Sequence, residues 1–315
     1  MGKKLNVESK YEKYGYFFIT PFFIVFLLFN LYPMLNSILQ SFYTQVGNVT
    51  QFAGLENYTR LINDTQFFQS LYNTALMWII GFIPQLVFAI TLAAILSDKD
   101  IKVPARGFFR AVYYLPNLVT LSSIGLLMYY FLDKESGSLN KILMSLHILQ
   151  LPYDWNQDTL AVRCTVAFTS WWIWFGFTMI IFMAGISAIP DELFEAARVD
   201  GANKWQTFWN VTIPSIKGSV LYNIITSIIG GLSMFDVPYV LTGGSGTPIG
   251  DALFKIKDSP DQLYQAMTTV NYMYNMTFRN YDAGYGSTIY VGMFVVILVI
   301  VGLSFRILNN NFSKE

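Results

Sequence analysis

The chain has 315 residues, of which 54% are hydrophobic and 13% charged; with 22 glycines besides, that is more apolar matter than a soluble core of this size can hide, which excludes a soluble globular domain. Twenty basic residues balance twenty acidic ones, so no electrostatic footprint for nucleic acid exists. An aromatic set of 27 Phe, 20 Tyr and 7 Trp excludes disorder, and one cysteine (Cys164) with one histidine (His147) provides neither an internal disulfide nor a histidine metal cage.

A bilayer core about 30 Å thick takes about 20 apolar residues as helix, because no backbone group can be left unpaired in lipid. Six stretches meet that length. Residues 1–14 form a polar N-terminal tail, in which Glu8, Lys10, Glu12 and Lys13 read as a solvated helix. The first span, 16–38, is too long for a signal-peptide core, and Leu31-Tyr32-Pro33-Met34 offers no small-residue cleavage site, so it stays in the mature protein. The second span is 73–96, with Asn73 and Gln85 inside it, and the third is 108–132. A long connection, 133–159, leads to a fourth span, 160–186, in which Cys164 reads as a small core residue. The fifth is 214–241; a second long connection, 242–284, then leads to the sixth, 285–308, and a tail of 309–315. Runs such as Tyr290-Val-Gly-Met-Phe-Val-Val-Ile-Leu-Val-Ile-Val301 do not alternate, so the spans are helices and not strands of a barrel.

Orientation follows from Lys and Arg in the connections. Lys3, Lys4, Lys10, Lys13, Lys99, Lys102, Arg106, Arg110, Arg198, Lys204, Lys217, Arg306 and Lys314 share one side; Arg60, Lys134, Lys141, Arg163, Lys255, Lys257 and Arg279 lie on or near the other. The larger set places both termini in the cytosol. The two long connections then face outward, where they suit contact with an external partner or a lid.

The cytosolic connection 187–213 has more structure than a linker requires. Pro190, Asp191 and Glu192 read as a helix start, Gly201 ends that helix, and 202–210 can form a second one carrying Trp205, Phe208 and Trp209. On physics alone an amphipathic interfacial helix accounts for this segment equally well.

The same residues carry a resemblance. Glu195-Ala196-Ala197, Asp200-Gly201-Ala202, Phe208 and Val211-Thr212-Ile213-Pro214 resemble the EAA motif of binding-protein-dependent ABC importer permeases. Val211 and Ile213 stand where that motif is usually written Ile and Leu. Phe109-Arg110-Ala-Val-Tyr-Tyr-Leu-Pro116-Asn117 and Phe235-Asp236-Val-Pro-Tyr-Val-Leu-Thr242-Gly243-Gly244 are similar to core segments of its carbohydrate branch, and Tyr32-Pro33-Met34 and Phe52-Ala-Gly-Leu-Glu-Asn-Tyr58 fit as well. The resemblance covers nearly the whole chain and is to the membrane subunits of maltose and glycerol-phosphate importers. It implies an all-α, six-helix, type I importer permease fold (domain 15–308) in the prokaryotic cell membrane. It further implies coupling to a cytosolic dimeric ATPase through Glu195, Ala196, Ala197, Asp200 and Gly201. A second permease, an extracytoplasmic sugar-binding protein and a sugar, as an oligosaccharide, complete the implied partners. ATP and Mg would belong to the ATPase, since Gly243-Gly244-Ser245-Gly246-Thr247 lacks the Gly-Lys-Ser/Thr of a phosphate loop and reads as a flexible loop. No cofactor, metal or catalytic residue is expected in this chain, which is not an enzyme.

A sugar site wants aromatic faces and hydrogen-bonding groups in an apolar wall. Span four is rich in both, with Ser170, Trp171, Trp172, Trp174 and Phe175, although membrane aromatics often serve only as belt or packing groups. Asn73, Gln85, Asn117, Asn223, Ser233 and Asp236 are polar groups inside spans, where an unpaired one costs several kcal/mol, roughly. Asp236 is the one acid inside the spans and reads equally as functional or as exposed near a helix end. Matching the maltose-type pocket implies Asn117, Leu121, Trp172, Phe175, Gly176, Met179, Gly230 and Ser233, to which we add Asp236, as the substrate pathway. Gly230-Gly231 fits a bend or close packing. The competing reading is an ion-coupled secondary transporter with Asp236 as its ion site; such carriers show repeats and paired intramembrane acids, which are not evident. An intramembrane enzyme has neither a His-Glu-x-x-His motif nor a nucleophile with a base inside the spans.

Overall fold

The computed structural model describes residues 7–46, 49–98, 100–101, 103–156, 158–241 and 266–312. Gly243 to Thr247, and most of the connection 242–284, lie outside the described residues. The helices are α1 (Val7–Phe26), α2 (Tyr32–Gln40), α3 (Glu56–Ile62), α4 (Thr65–Ser97), α5 (Arg106–Tyr114), α6 (Leu121–Phe131), α7 (Ser138–Ser145), α8 (Thr159–Ser187), α9 (Asp191–Val199), α10 (Lys204–Thr207), α11 (Ile213–Ser215), α12 (Lys217–Leu232), α13 (Asp236–Leu241), α14 (Thr269–Tyr274) and α15 (Ala283–Phe312). A hairpin pairs β1 (Tyr43–Val46) with β2 (Val49–Phe52), Tyr43 opposite Phe52.

Among the described residues, five helical stretches are long and apolar enough to cross a membrane: Tyr14–Gln40, Thr65–Ser97, Thr159–Ser187, Lys217–Leu241 and Ala283–Ile307. The third predicted span is not one continuous helix. α5, extended by a tight turn over Leu115–Leu118, meets α6 at 89°. Pro116 sits at the start of that turn, Val119 is extended, and the Thr120 hydroxyl caps α6 by accepting from the Ser123 N–H. The apolar run hides the break, and only Pro116-Asn117 betrays it.

Packing directions show what the broken pair does. α4 and α8 run the same way: Asn73 meets Arg163 and Gly81 meets Ala167, while Ala93 and Leu96 share a core with Met183 and Ile186. Two parallel spans need one return crossing between them. α5–α6 is the one sufficiently long and apolar segment there among the described residues, so it is a crossing and not a re-entrant loop. α12–α13 runs back along α8, with Ile216 against Gly185 at one end and Leu241 in a core with Val166 and Met77 at the other.

Local capping explains where the helices start. The Asp64 carboxylate accepts from the N–H groups of Gln66 and Phe67, so α4 begins eight residues before the apolar stretch, and Asp158 does the same for α8. Cys164 is exposed on α8, a correction to its reading as a core residue; Val162 and Val166 take the packed positions on either side of it. At Gly176 a β-carbon would lie 1.9 Å from the Tyr113 carbonyl oxygen, so α5 and α8 touch backbone to side. Gly176→Ala should cost about 1–3 kcal/mol through overpacking, read as a lower unfolding midpoint of the detergent-solubilised protein.

The described chain divides into two compact units, residues 7–63 with 273–292 and residues 64–241 with 266–272 and 293–312. In the first, Asn57 is buried and its amide donates to the carbonyls of Ser41 (3.0 Å) and Tyr43 (2.9 Å), locking α3 under the hairpin. Arg60 pairs with Asp282 at 2.7 Å and stacks 3.6 Å over the Tyr285 ring. These bonds give the 52–58 segment its structural purpose.

In the second unit the long connection 133–159 is not a bare loop. It contains α7, and the buried Asn140 amide donates to the carbonyls of Lys134 (3.0 Å) and Tyr153 (2.9 Å), while its oxygen accepts from the Tyr153 N–H and the Trp155 indole. Asn140→Ala would leave those buried groups unpaired at roughly 1–3 kcal/mol; hydrogen exchange across 133–158 should accelerate at least tenfold.

Candidate functional site

The segment after α8 is built to present a short helix. Three residues, Ala188 to Pro190, separate α8 from α9, and Asp191 and Glu192 sit in the first turn with Arg198 in the last, each complementing the helix dipole. α9 ends in a Schellman motif: Gly201 N–H bonds the Arg198 carbonyl (3.0 Å), Ala202 N–H bonds the Ala197 carbonyl (2.9 Å), and Gly201 takes φ +76°. A β-carbon at Gly201 would meet nothing within 4 Å, so glycine is required there for its backbone and not for space. Asn203 and Gln206 then form a capping box that starts α10. Ile189 and Phe194 pack into the core formed by the ends of α4 and α8. Glu195, Ala196 and Asp200 are exposed and Ala197 is half-buried; Glu195 has no hydrogen bond or ion pair among the described residues.

Two ion pairs tie this segment to the α4–α5 connection. Arg198 contacts both carboxylate oxygens of Asp100 at 3.0 and 3.2 Å, and Lys204 reaches Asp98 at 2.7 Å. Arg106 donates to the Asp98 carbonyl at 2.6 Å and also to that of Ile101. Burial alone would raise the Asp98 pKa, but the Lys204 ammonium and the Asp100 N–H outweigh it and hold the carboxyl below its ordinary range. A carboxyl depressed by folding contributes fully above its unfolded pKa of about 3.9 and loses that contribution as pH falls through the folded value. Intrinsic-rate-corrected hydrogen exchange of 191–204 should therefore be flat from pH 8 to 5 and rise only below about pH 4.

The same unit holds a partly open cavity of about 320 Å³, within the rough range of small-molecule sites. Its wall is drawn from one face of each of three helices. α4 gives Trp78, Gly81, Phe82 and Gln85; α8 gives Ser170, Ile173, Trp174, Phe177 and Thr178; α12 gives Tyr222, Asn223, Thr226, Ser227, Gly230 and Gly231. Spacings of three and four residues put each set on one stripe. Ser233 to Phe235 at the break before α13, Asp236 to Pro238 in its first turn, and Leu121 complete it. The Trp78 indole donates to Ser227 Oγ (2.9 Å), Gln85 donates to Thr178 Oγ1 (2.8 Å), and Ser122 donates to Asp236 Oδ1 (3.3 Å). Trp78 also lies against Gly231, where a β-carbon would sit 1.9 Å from its Cδ1, so close packing is the role of that glycine.

Of the sequence-derived pathway residues, Leu121, Gly230, Ser233 and Asp236 line this cavity. The other five lie elsewhere. Phe175 and Met179 are buried, Gly176 faces Tyr113, Trp172 packs on the core around Ile173 and Met77, and Asn117 is half-buried in the turn before α6. Trp78, Phe82 and Phe177 escaped the sequence reading, which had Trp174 among the aromatic groups of span four; the i, i+4 spacing of Trp78 and Phe82 beside the intramembrane Gln85 was the available signal on α4. Among the described residues no group of three or more His, Cys, Asp or Glu is placed to hold a metal.

A bundle of apolar crossings, a polar and aromatic cavity between them, and a capped helix projecting from the end of one crossing define a multi-pass membrane component of a transport system. A family model described as "Binding-protein-dependent transport system inner membrane component" matches residues 85–314, and the chain belongs to that family. It is 31% identical over 301 residues to the lactose transport system permease protein LacF of Rhizobium radiobacter, covering 95% of this chain and 94% of that one. The arabinooligosaccharides transport system permease protein AraP of Bacillus subtilis is 31% identical over 301 residues, covering 95% and 90%. In fold it is similar to a chain of a bacterial alginate ABC transporter, solved in complex with alginate pentasaccharide-bound periplasmic protein, with a TM-score of 0.76, 21% identity and 96% of each chain covered. The protein thus has the type I importer permease fold, resides in the plasma membrane as a multi-pass component, and is a transport subunit and not an enzyme.

Proposed function

We propose that this chain is the permease subunit of an ATP-driven sugar importer, that its cargo is an oligosaccharide, and that it forms the pathway with a second, related permease. The single observation that carries the coupling role is α9 itself. It is a capped, exposed helix bearing Glu195-Ala196-Ala197, seated by Ile189 and Phe194 on the ends of α4 and α8. A helix so seated transmits a push from a docked ATPase directly into two crossings. Ala196 and Ala197 let it enter a cleft, Glu195 offers a carboxylate to a cationic or donor group there, and Asp200-Gly201 turns the chain away.

In this reading ATP and Mg belong to the dimeric ATPase, and the connection 187–213 and both termini, with tails 1–14 and 309–315, lie in the cytosol around a membrane domain of 15–308. An extracytoplasmic binding protein delivers the sugar from the other side. The relatives named for lactose and arabinooligosaccharide transport support a sugar. The substrate path runs through Leu121, Gly230, Ser233 and Asp236, with Asn117, Trp172, Phe175, Gly176 and Met179 lining it in other states or at the second permease.

The test is a pull-down of the solubilised chain from its native membrane with mass spectrometry of the bound proteins. A second permease and an ATPase with Walker motifs are the expected companions. Recovery of the chain alone, transporting in liposomes without ATP, would overturn the reading in favour of an ion-coupled carrier.

A further inference from the structure

The cavity wall has a charge pattern that bears on which sugars fit. Its described lining residues include six aromatic side chains (Trp78, Phe82, Trp174, Phe177, Tyr222 and Phe235), a set of amides and hydroxyls, one carboxylate in Asp236, and no Lys, Arg or His. Four cations of the same unit are engaged elsewhere: Arg198 with Asp100, Lys204 with Asp98, Lys134 with Asp154, and Arg163 with Asn73.

We infer that this cavity selects uncharged sugars and rejects acidic ones, uronates and sugar phosphates alike, with Asp236 as the discriminating residue. The inference rests on the proposed sugar-permease reading. An anionic sugar moving from water into an apolar wall loses hydration that only a cation or several convergent donors can replace. Here it meets no cation, and the donors of Gln85, Asn223 and Thr226 are already engaged by Thr178 Oγ1 and the carbonyls of Ser219 and Tyr222. It meets a fixed carboxylate, and like charges in a low-dielectric pocket repel far more strongly than in water. A neutral sugar faces no such penalty: its C–H faces stack on the rings, and its hydroxyls find Gln85, Asn223, Thr226, Ser227 and Ser233, with the carboxylate as one more acceptor. Rejection by an unpaired charge is an efficient source of specificity, because it acts against the wrong substrate without weakening the right one.

The experiment uses the permease complex in nanodiscs and reads quenching of tryptophan fluorescence, since Trp78 and Trp174 lie in the wall. The probes are maltotriose, galactotriose and arabinotriose, with trigalacturonate and C6-oxidised maltotriose as charged counterparts. At least one neutral trisaccharide should bind, and its acidic counterpart should bind at least about tenfold more weakly, with the gap narrowing as salt is raised. In Asp236→Asn the ratio of acidic to neutral dissociation constants should fall about tenfold, and Ser233→Arg, which adds the missing cation, should bring the acidic sugar in. Acidic and neutral sugars binding wild type equally, or the acidic sugar binding better, overturns the inference while leaving the sugar reading intact. An unchanged ratio in both variants overturns the role of Asp236. Binding of neither class overturns the sugar reading and this inference with it.

Discussion

Glu195→Lys, and separately Gly201→Asp, should reduce sugar uptake to background while the protein still reaches the membrane in normal amount. For Glu195 the reason is that the side chain is exposed and has no hydrogen bond or ion pair among the described residues. Its removal therefore costs this chain's own fold almost nothing, whereas a lysine places a cation where a carboxylate would meet a cationic or donor group of the ATPase. Truncating one partner of a desolvated charged contact typically costs 2–5 kcal/mol, roughly, and reversal costs more. At Gly201 the geometry separates two effects. The left-handed φ of +76° disfavours any side chain, but aspartate tolerates that region better than most residues, and the position is open. Gly201→Ala should accordingly show only the conformational cost, about 1 kcal/mol, and retain much of the uptake. Gly201→Asp adds a second carboxylate beside Asp200, on the face that the proposed coupling role would turn to the ATPase. Basal ATPase activity of the assembled complex, set beside transport, distinguishes lost docking from lost folding. Undiminished uptake in both Glu195→Lys and Gly201→Asp would remove the coupling role from α9.

The crossings are legible in the sequence because lipid imposes one simple demand, about 20 apolar residues per helix. Helix α9 is legible because its ends are marked by chemistry that depends on neighbours in sequence: Pro190, Asp191 and Glu192 at the start and Gly201 at the stop. The exceptions have physical causes. The 89° break between α5 and α6 hides inside an unbroken apolar run, since hydropathy counts residues and is blind to backbone direction. α4 starts eight residues early because Asp64, a cap, sets the boundary and hydrophobicity does not. The links from Arg198 to Asp100 and from Lys204 to Asp98 join residues about a hundred positions apart, and no local pattern announces them. In α8 every face is apolar or aromatic, so its sequence gives no rotational phase. Residues 172, 175, 176 and 179 form a stripe as well spaced as 170, 173, 174, 177 and 178, and a shift of two residues rotates the helix surface by about 200°.

That ambiguity supplies the second large effect. Trp174→Ala and Trp78→Ala should each abolish most of the sugar stimulation of ATPase activity, with an apparent affinity loss of about thirtyfold, the weight of a 2 kcal/mol hot spot, while basal ATPase stays near wild type. Both indoles face the cavity, Trp78 held there by Ser227 and by its contact with Gly231. Ser233→Ala should act in the same direction more weakly, because it removes one hydroxyl from the wall. Trp172→Ala is the contrast. Its ring packs on the core of Met77, Val166 and Ile173 and is not among the residues that line the cavity, so in this conformation its loss should lower basal and stimulated ATPase together, along with thermal stability. Should Trp172→Ala instead abolish sugar stimulation selectively while Trp174→Ala leaves it intact, the sugar runs along the opposite stripe of α8. The cavity between α4, α8 and α12 would then be a packing void of this conformation, and Phe175, Gly176 and Met179 would become the residues to follow into the pathway.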